Sequence, residues 1–403
     1  MALNRFLELI RQVKTRLSDA FLRIVYHRMT IGFPWYWPAK GAETPAMRLI
    51  RRTSRQLIAH GHPWPVRWAV RIFAVLTWPL GAAVHLRLVR ANTDEFDAQD
   101  LKAHWLDAYW VALRHNVWPA EYFSFRLWLP ENRRNVDNYF YIHEIPRVFA
   151  AINPSCDNNP VGDKLLFHQF CQSHALPTLP LLAVVTPETD VPSIEIPPAT
   201  DLWIKPAKGN SGRGAAPWYG TDGGHRNLAG QVLNPTEFRR HLVDQAQQFG
   251  RMLVQPLARN HPALEGLPDR FPLVIRVVTG KPLKGIARVI SAYAALPNDL
   301  QHLSQGAELC PIDLHQGTLE HNSALLPIPA MPSLLQSVLR GHDQLPDYAL
   351  LGWDAFCERD GTKLLETNAN ISTNEVQRLQ ERWVFGLENS DEDVAERIHL
   401  INE

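Results

Sequence analysis

The spacing of hydrophobic positions changes along this chain of 403 residues, from helical in the first third to a mixture of helical and strand-like periods afterwards. Leu3, Phe6, Leu7, Ile10, Val13, Leu17, Phe21, Leu22 and Val25 keep an amphipathic helical period, with Arg5, Arg11, Lys14, Arg16 and Arg23 between them. This segment lacks the continuous apolar stretch and small-residue cleavage site of a signal peptide, so no export is expected. An aromatic loop at 33–38 follows. The uncharged run 72–84 is shorter than the roughly 20 residues of a membrane span and is broken by Pro79 and Gly81, which predicts a buried or interfacial helix. Residues 93–151 are helical in spacing and rich in aromatic side chains.

From 161 onward helices and strands alternate. The pattern predicts a helix over 161–171, a strand over 201–206, a helix over 235–248 and a strand over 251–257. A strand and hairpin follow over 273–282, with a return strand over 285–290. Finally 350–357 and 364–370 read as two apolar arms of a hairpin, with Asp360-Gly361 supplying the positive φ of a tight turn.

Three candidate chemistries lie on these elements. Glu366 and Asn368 stand two apart on the last strand, so both side chains share a face, and the hairpin sets Asp354 across from them. Two carboxylates and an amide oxygen suit a hard divalent cation, magnesium or manganese in its place; the plainer reading is a solvated polar edge, but Leu364 and Leu365 would bury the same ribbon. The segment 207–214 holds Gly209, Ser211, Gly212 and Gly214, a loop whose backbone N–H groups can close around an anion, or else a flexible hairpin tip. It lacks the G-K-[ST] ending of a Walker A loop. Arg276 and Arg288 each sit on an otherwise apolar strand and require anionic partners, either phosphate or carboxylate ligands or cross-strand ion pairs.

Composition adds two points. Cys156, Cys171, Cys310 and Cys357 show neither CxxC nor metal-ligand spacing, which argues against disulfides and zinc and fits a reducing compartment. The net charge of zero conceals fifteen basic and three acidic residues within 1–90, a local +12 accompanied by Trp35, Trp37, Trp64, Trp68 and Trp78. Tryptophan with arginine suits a membrane interface, or a helical lid packed on the core. No groove-reading basic strip points to nucleic acid.

Asp354, Glu366 and Asn368 resemble the D…E-x-N metal signature of the ATP-grasp superfamily, and the chain is most similar to its sugar-transfer-associated branch over about 135–380. The resemblance implies an α/β (α+β) ATP-grasp fold with an N-terminal helical, basic extension. Its divisions would be 1–110 for that extension, 111–185 for a scaffold and first lysine helix, 186–256 for the small subdomain, 257–385 for the large one and 386–403 for an acidic tail. It implies that Lys164 and Lys205 hold ATP phosphates, that Gly209, Ser211, Gly212 and Gly214 form the flap, and that Gln255 and Leu257 read adenine. Arg276 and Arg288 would grip the γ-phosphate and the acyl phosphate, and Asp354, Glu366 and Asn368 would hold Mg2+ or Mn2+. The family's ribose-binding glutamate is missing, because position 262 is proline; Asn260 and His261 are the substitutes. The implied activity is ligation of a small-molecule or saccharide carboxylate to an amine through an acyl phosphate, in polysaccharide or cell-surface polymer modification. The alternatives are a kinase acting on a hydroxyl and a non-catalytic ATP-binding protein docked at a membrane assembly. The expected location is cytoplasmic, peripheral on the inner face of the membrane through residues 1–90.

Overall fold

The structure, a computed structural model, describes residues 44–59, 65, 78–87, 89, 97–141, 159–197, 199–209, 212–264, 267, 273–282, 284–296, 308–369, 371, 373–380, 394 and 396–397. The helix expected over 3–25, the aromatic loop 33–38 and Ser211 lie outside these residues, as does the acidic tail apart from 394 and 396–397. The chain divides into two compact units, one of residues 1–151 with 398–403 and one of residues 152–397.

The first unit is helical among its described residues. The helix Ala98–His115 begins at Asp97, whose carboxylate accepts from the N–H groups of Gln99 and Asp100, and ends at Asn116 in the left-handed conformation. One face buries Leu101, Ala108 and Val111 against Tyr122, Phe123, Phe125 and Tyr139. Its other face leaves Trp110 64% and Leu106 53% exposed. Trp78, from the run read as buried or interfacial, is buried and donates through its indole N–H to Ala112 O at 3.0 Å. Among the described residues no helix is long and apolar enough to cross a membrane.

The second unit holds two antiparallel sheets. The smaller one orders its strands β1-β6-β2-β3-β4-β5, where β1 is Ala183–Val185, β2 Leu202–Pro206, β3 Ala216–Thr221, β4 Gly224–Arg226, β5 Val232–Leu233 and β6 Met252–Pro256. The helix Pro235–Phe249 covers it, burying Phe238, Leu242 and Ala246 on Leu202, Ile204 and Val254. That helix starts where Asn234 and Glu237 form a reciprocal capping box with Pro235 in the first turn, so its beginning is written locally.

The larger sheet runs β11-β10-β9-β8-β7-β12-β13, with β7 Val274–Gly280, β8 Arg288–Leu296, β9 Glu308–Asp313, β10 Thr318–His321, β11 Ala324–Pro327, β12 Leu350–Glu358 and β13 Gly361–Asn368. β8 begins later than the return strand expected at 285–290. Gly285, at φ +135°, and the carboxylate of Asp343, which accepts from Ala287 N–H at 3.0 Å and pairs with Lys281 at 3.0 Å, hold the intervening residues in a longer connection. The helices Lys164–Ser173 and Met331–Asp343 contribute Phe167, Leu334 and Val338 to one core with Leu351, Trp353 and Leu364.

Two backbone bonds at the head of the Lys164–Ser173 helix join it to both sheets. Gly162 N–H donates to Thr367 O on β13 at 3.1 Å, and Lys164 N–H donates to Ala207 O just beyond β2 at 2.9 Å. Asp163 between them caps the helix, accepting from Leu165 and Leu166 N–H at 3.0 and 3.2 Å.

Candidate active site

The β12–β13 hairpin turns through Arg359 and Asp360, with Glu358 opposite Gly361 at φ +122°. Counted inward from that turn, Ala355 faces Leu364, and Asp354 would face Leu365. A bulge inserts Leu365 as an extra residue instead, and Glu366 moves into place opposite Asp354. Asn368, two residues on, donates through Nδ2 to Glu366 Oε1 at 3.0 Å. Asp354, Glu366 and Asn368 thus form one oxygen-bearing patch on the ribbon.

Cations from three elements surround it. Lys164 Nζ lies 2.8 Å from Glu366 Oε2 and also donates to Gly209 O at 3.1 Å, linking helix, ribbon and glycine loop. Arg276, opposite Asp354 on β7, grips it with both Nε and Nη2, the latter at 2.9 Å from Oδ2. Gly352 leaves the room that this requires, since a Cβ there would stand 3.2 Å from Arg276 Nη1. Lys205, on β2, is buried and feels Glu366, Lys164 and Asp354.

Burial disfavours charge throughout this cluster, and neighbours decide the outcome. Glu366 would be raised by burial, but Lys164 overrides this and lowers it to about 2. For Asp354 burial wins over Arg276 and pushes the carboxyl up to about 6, still ionised against the guanidinium at neutral pH. Burial lowers Lys205 to about 8, with Glu366 opposing. Cation and anion are therefore both retained at pH 7, close to their points of neutralisation.

The glycine loop stands beside Lys164 and Lys205. Gly214, at φ +73°, could not carry a side chain without meeting Phe249 and Pro206, each 3.0 Å from an ideal Cβ. Gly209 and Gly212 also have positive φ, at +134° and +69°. Across β2, Gln255 on β6 is buried with its side-chain oxygen lacking a hydrogen-bond partner. An orphaned buried acceptor calls for a donor from a ligand. Leu257 N–H is taken by Asp201 O at 2.8 Å, so its carbonyl is the group it can offer.

Residues 147–385 match the sugar-transfer associated ATP-grasp family. The chain belongs to that family. No curated protein matches the sequence. Among solved structures this ATP-grasp chain is similar to the biotin carboxylase domain of the 2-oxoglutarate carboxylase from Hydrogenobacter thermophilus, in complex with MgADP, ADP and bicarbonate (15% identity, 56% of this chain, 46% of that one, TM-score 0.36). It is also similar to a biotin carboxylase complex from Campylobacter jejuni (15% identity, 62% and 48%, TM-score 0.40). A third is the D-alanine-D-alanine ligase of Helicobacter pylori (13% identity, 59% and 58%, TM-score 0.38). The chain spans about half the length of these structures.

Not every residue singled out in this ATP-grasp sequence reaches the cluster. Arg288 is the first residue of β8, opposite Gly280, whereas Arg276 faces Tyr293; five residues separate Arg288 from Tyr293 along β8, roughly 16 Å of strand. Asn260 accepts from Leu273 N–H at 2.6 Å and His261 from Ala263 N–H at 3.0 Å, so both ribose substitutes already serve the local backbone. Conversely, sequence reasoning passed over His168. It is one helical turn from Lys164, is buried beside Lys205 with Nδ1 unpartnered, and its signal was the i, i+4 spacing. Beneath the ribbon, Thr279 accepts from Trp353 Nε1 at 2.8 Å and donates to His342 Nδ1 at 2.7 Å, while His342 Nε2–H reaches Tyr348 O at 3.1 Å. Burial lowers His342 to about 4, so this network is neutral and holds β7 against β12 at the level of the site.

Proposed function

We propose that this ATP-grasp chain joins a carboxylate to an amine at the expense of ATP, through an acyl phosphate, on a small-molecule or saccharide substrate. The observation that carries the reading is the meeting of Lys164, Lys205 and Arg276 with Asp354, Glu366 and Asn368, which gives phosphate-binding cations and an all-oxygen cation site within one cluster. The donor set fits magnesium: two carboxylates and the Asn368 carbonyl oxygen, with no nitrogen or sulfur donor. An ion held by Asp354, Glu366 and Asn368 would supply positive charge to offset the negative charge developing on the transferring group.

The chain's own residues position and neutralise. Lys164, paired with Glu366, and Lys205, near the same carboxylate, turn to the nucleotide phosphates. Arg276, clamped on Asp354, is the arginine assigned to the transferring γ-phosphoryl. Gly209, Ser211, Gly212 and Gly214 close over the phosphates, and the orphaned Gln255 oxygen accepts from the adenine amino group, with Leu257 supplying its carbonyl. Arg288 serves only a substrate that extends along β8. In the first step the γ-phosphoryl passes from ATP to a carboxylate oxygen, and ADP leaves. In the second the amine nitrogen bonds to the acyl carbon, phosphate leaves, and the nitrogen loses a proton. No side chain is consumed as a nucleophile.

The basic residues of 1–90, net +12, are assigned to an anionic membrane surface on the cytoplasmic face, supported by the exposed Trp110 of the same unit. Co-sedimentation with anionic but not neutral vesicles tests this. The activity is tested by ADP and phosphate release from the purified chain with Mg-ATP and pooled carboxylates and amines, with Asp354→Asn as control. Release that requires both pools and vanishes in the control is expected. Release with a hydroxyl acceptor alone would replace ligation by kinase chemistry, and ATP binding without turnover under every pairing would leave a binding protein.

A further inference from the structure

The larger sheet carries a second group of chemistry-bearing side chains on β9 and β10, independent of the ligase reading. These strands pair Asp313 with Thr318 and Ile312 with Leu319. Continued two residues further, the register sets Cys310 opposite His321, and the period of two sets Glu308 on the same face of β9 as Cys310. Cys310 Sγ lies 3.7 Å from His321 Nδ1, and Glu308 Oε1 lies 3.1 Å from that same nitrogen. The three candidate ligand atoms lie within 4.8 Å of one another. Cys310 is buried, the His321 side chain is 10% exposed and Glu308 is 48% exposed, so the group opens to solvent on one side only. The turn Asn322-Ser323, with φ of 49° and 62° as a type I′ hairpin requires, fixes where His321 ends β10.

Cysteine, histidine and a carboxylate could serve as a nucleophile relay or as a chelate, and the geometry separates the two. A relay needs the thiol on one ring nitrogen and the carboxylate on the other. Here both converge on Nδ1, while Nε2 stands 2.9 Å from the Asn322 amide. Burial, reinforced by Glu308, also pushes the Cys310 thiol up to about 11, the reverse of an activated nucleophile. Convergence on a common point is what a bound ion requires. With zinc bonds of about 2.3 Å to sulfur, about 2.05 Å to nitrogen and about 2.1 Å to oxygen, a tetrahedron has S–N and N–O edges of about 3.6 and 3.4 Å. The observed 3.7 and 3.1 Å differ from these by only a few tenths of an ångström. A thiolate with an imidazole selects zinc over magnesium or calcium.

We propose that Glu308, Cys310 and His321 bind a thiophilic divalent cation, zinc, with water in the fourth position. Zinc replaces the thiol proton, which goes to solvent, and takes the Nδ1 lone pair. Nε2 then carries the proton, and the Asn322 amide, whose Nδ2 stands 2.9 Å from Nε2, turns over to accept that proton with its oxygen and so orients the ring. The spacing of cysteines in the sequence argued against zinc because Cys310 and His321 are eleven residues apart and meet only through strand register.

The test adds Co2+ to the metal-free, full-length chain and reads the thiolate-to-cobalt charge-transfer band with the tetrahedral d–d bands, then adds Zn2+ in competition. One equivalent of cobalt, displaced by zinc, is expected. Cys310→Ser should abolish the charge-transfer band, and Cys156→Ser should leave it unchanged. Glu308→Gln, at the solvent side, should weaken cobalt binding by at least about tenfold, the lower end of the typical cost of losing even an outer partner. No band in the wild-type chain overturns the proposal, as does a band that survives in Cys310→Ser. Should Cys310→Ser fail to fold, undiminished affinity in Glu308→Gln and His321→Gln overturns it equally.

Discussion

Lys205 is a buried cation whose charge folding disfavours, and this separates a binding role from a structural one. Burial lowers it from 10.5 to about 8 even with Glu366 and Asp354 nearby. That drop corresponds to about 3 kcal/mol by which the folded chain disfavours the ammonium relative to the unfolded chain. Lys205→Met removes the penalty, so the nucleotide-free variant should melt higher than wild type at neutral pH, by roughly 5–10 °C, while losing ATP affinity. The pH dependence has a definite sign. In the wild type the folded lysine releases its proton near pH 8 and the unfolded one near 10.5, so between these values the unfolded state holds more protons and wild-type stability climbs with pH. The advantage of the variant is therefore full below about pH 8 and gone by about 10.5. Scanning calorimetry of both chains from pH 7 upward, with nucleotide titration at pH 7, measures each part. A variant that melts at or below wild type, or an advantage that persists unchanged to high pH, refutes the account of Lys205 as a cation held at a cost for the ligand.

Four further outcomes are expected. Arg276→Met strands the buried Asp354 carboxylate and should cost about 3–5 kcal/mol in urea unfolding, most of it recovered in the double variant Arg276→Met/Asp354→Leu, which removes both charges. Gly214→Ala forces a side chain into positive φ and against Phe249; a loss of about 1–3 kcal/mol and weaker binding of a fluorescent ATP analogue should follow. Thr279→Val takes the shared hydroxyl from Trp353 and His342 and should destabilise by about 1–3 kcal/mol. Because His342 is held near 4, the unfolded chain protonates first on acidification, so stability should fall as pH drops from 6.5 toward 4, a decline in Tm that His342→Gln removes.

What the sequence disclosed was local. The Asn234-Pro235-Thr236-Glu237 start of a helix, the apolar strands and the Asp354…Glu366-x-Asn368 ribbon each carry their own signal in neighbouring residues. The family resemblance then singled out Lys164 and Lys205, which bare physics leaves ambiguous. The structure adds what register supplies. Nothing in Leu364-Leu365 announces that Leu365 is an extra residue, yet without that bulge the carboxylate of Glu366 would not face Asp354. The clamp of Arg276 on Asp354, the Thr279–His342–Trp353 network and the Cys310–His321 pair all join strands or helices distant in sequence, so no window of neighbouring positions contains them. The end of the 273–290 hairpin was misjudged because Asp343, far along the chain, holds the connection open.

The two backbone bonds that flank Asp163 have a mechanical consequence. Residues 162–164 are fastened to β13 on one side and to the end of β2 on the other, so any rotation of one sheet against the other that keeps both bonds must turn about this point. Displacement grows with distance from a fulcrum. Strands β4 and β5, at the far edge of the smaller sheet, would sweep the widest arc, while Lys164 and Glu366 keep their spacing throughout. A rotation of that kind would change the spacing between the far edges of the two sheets while the Lys164–Glu366 pair stands still.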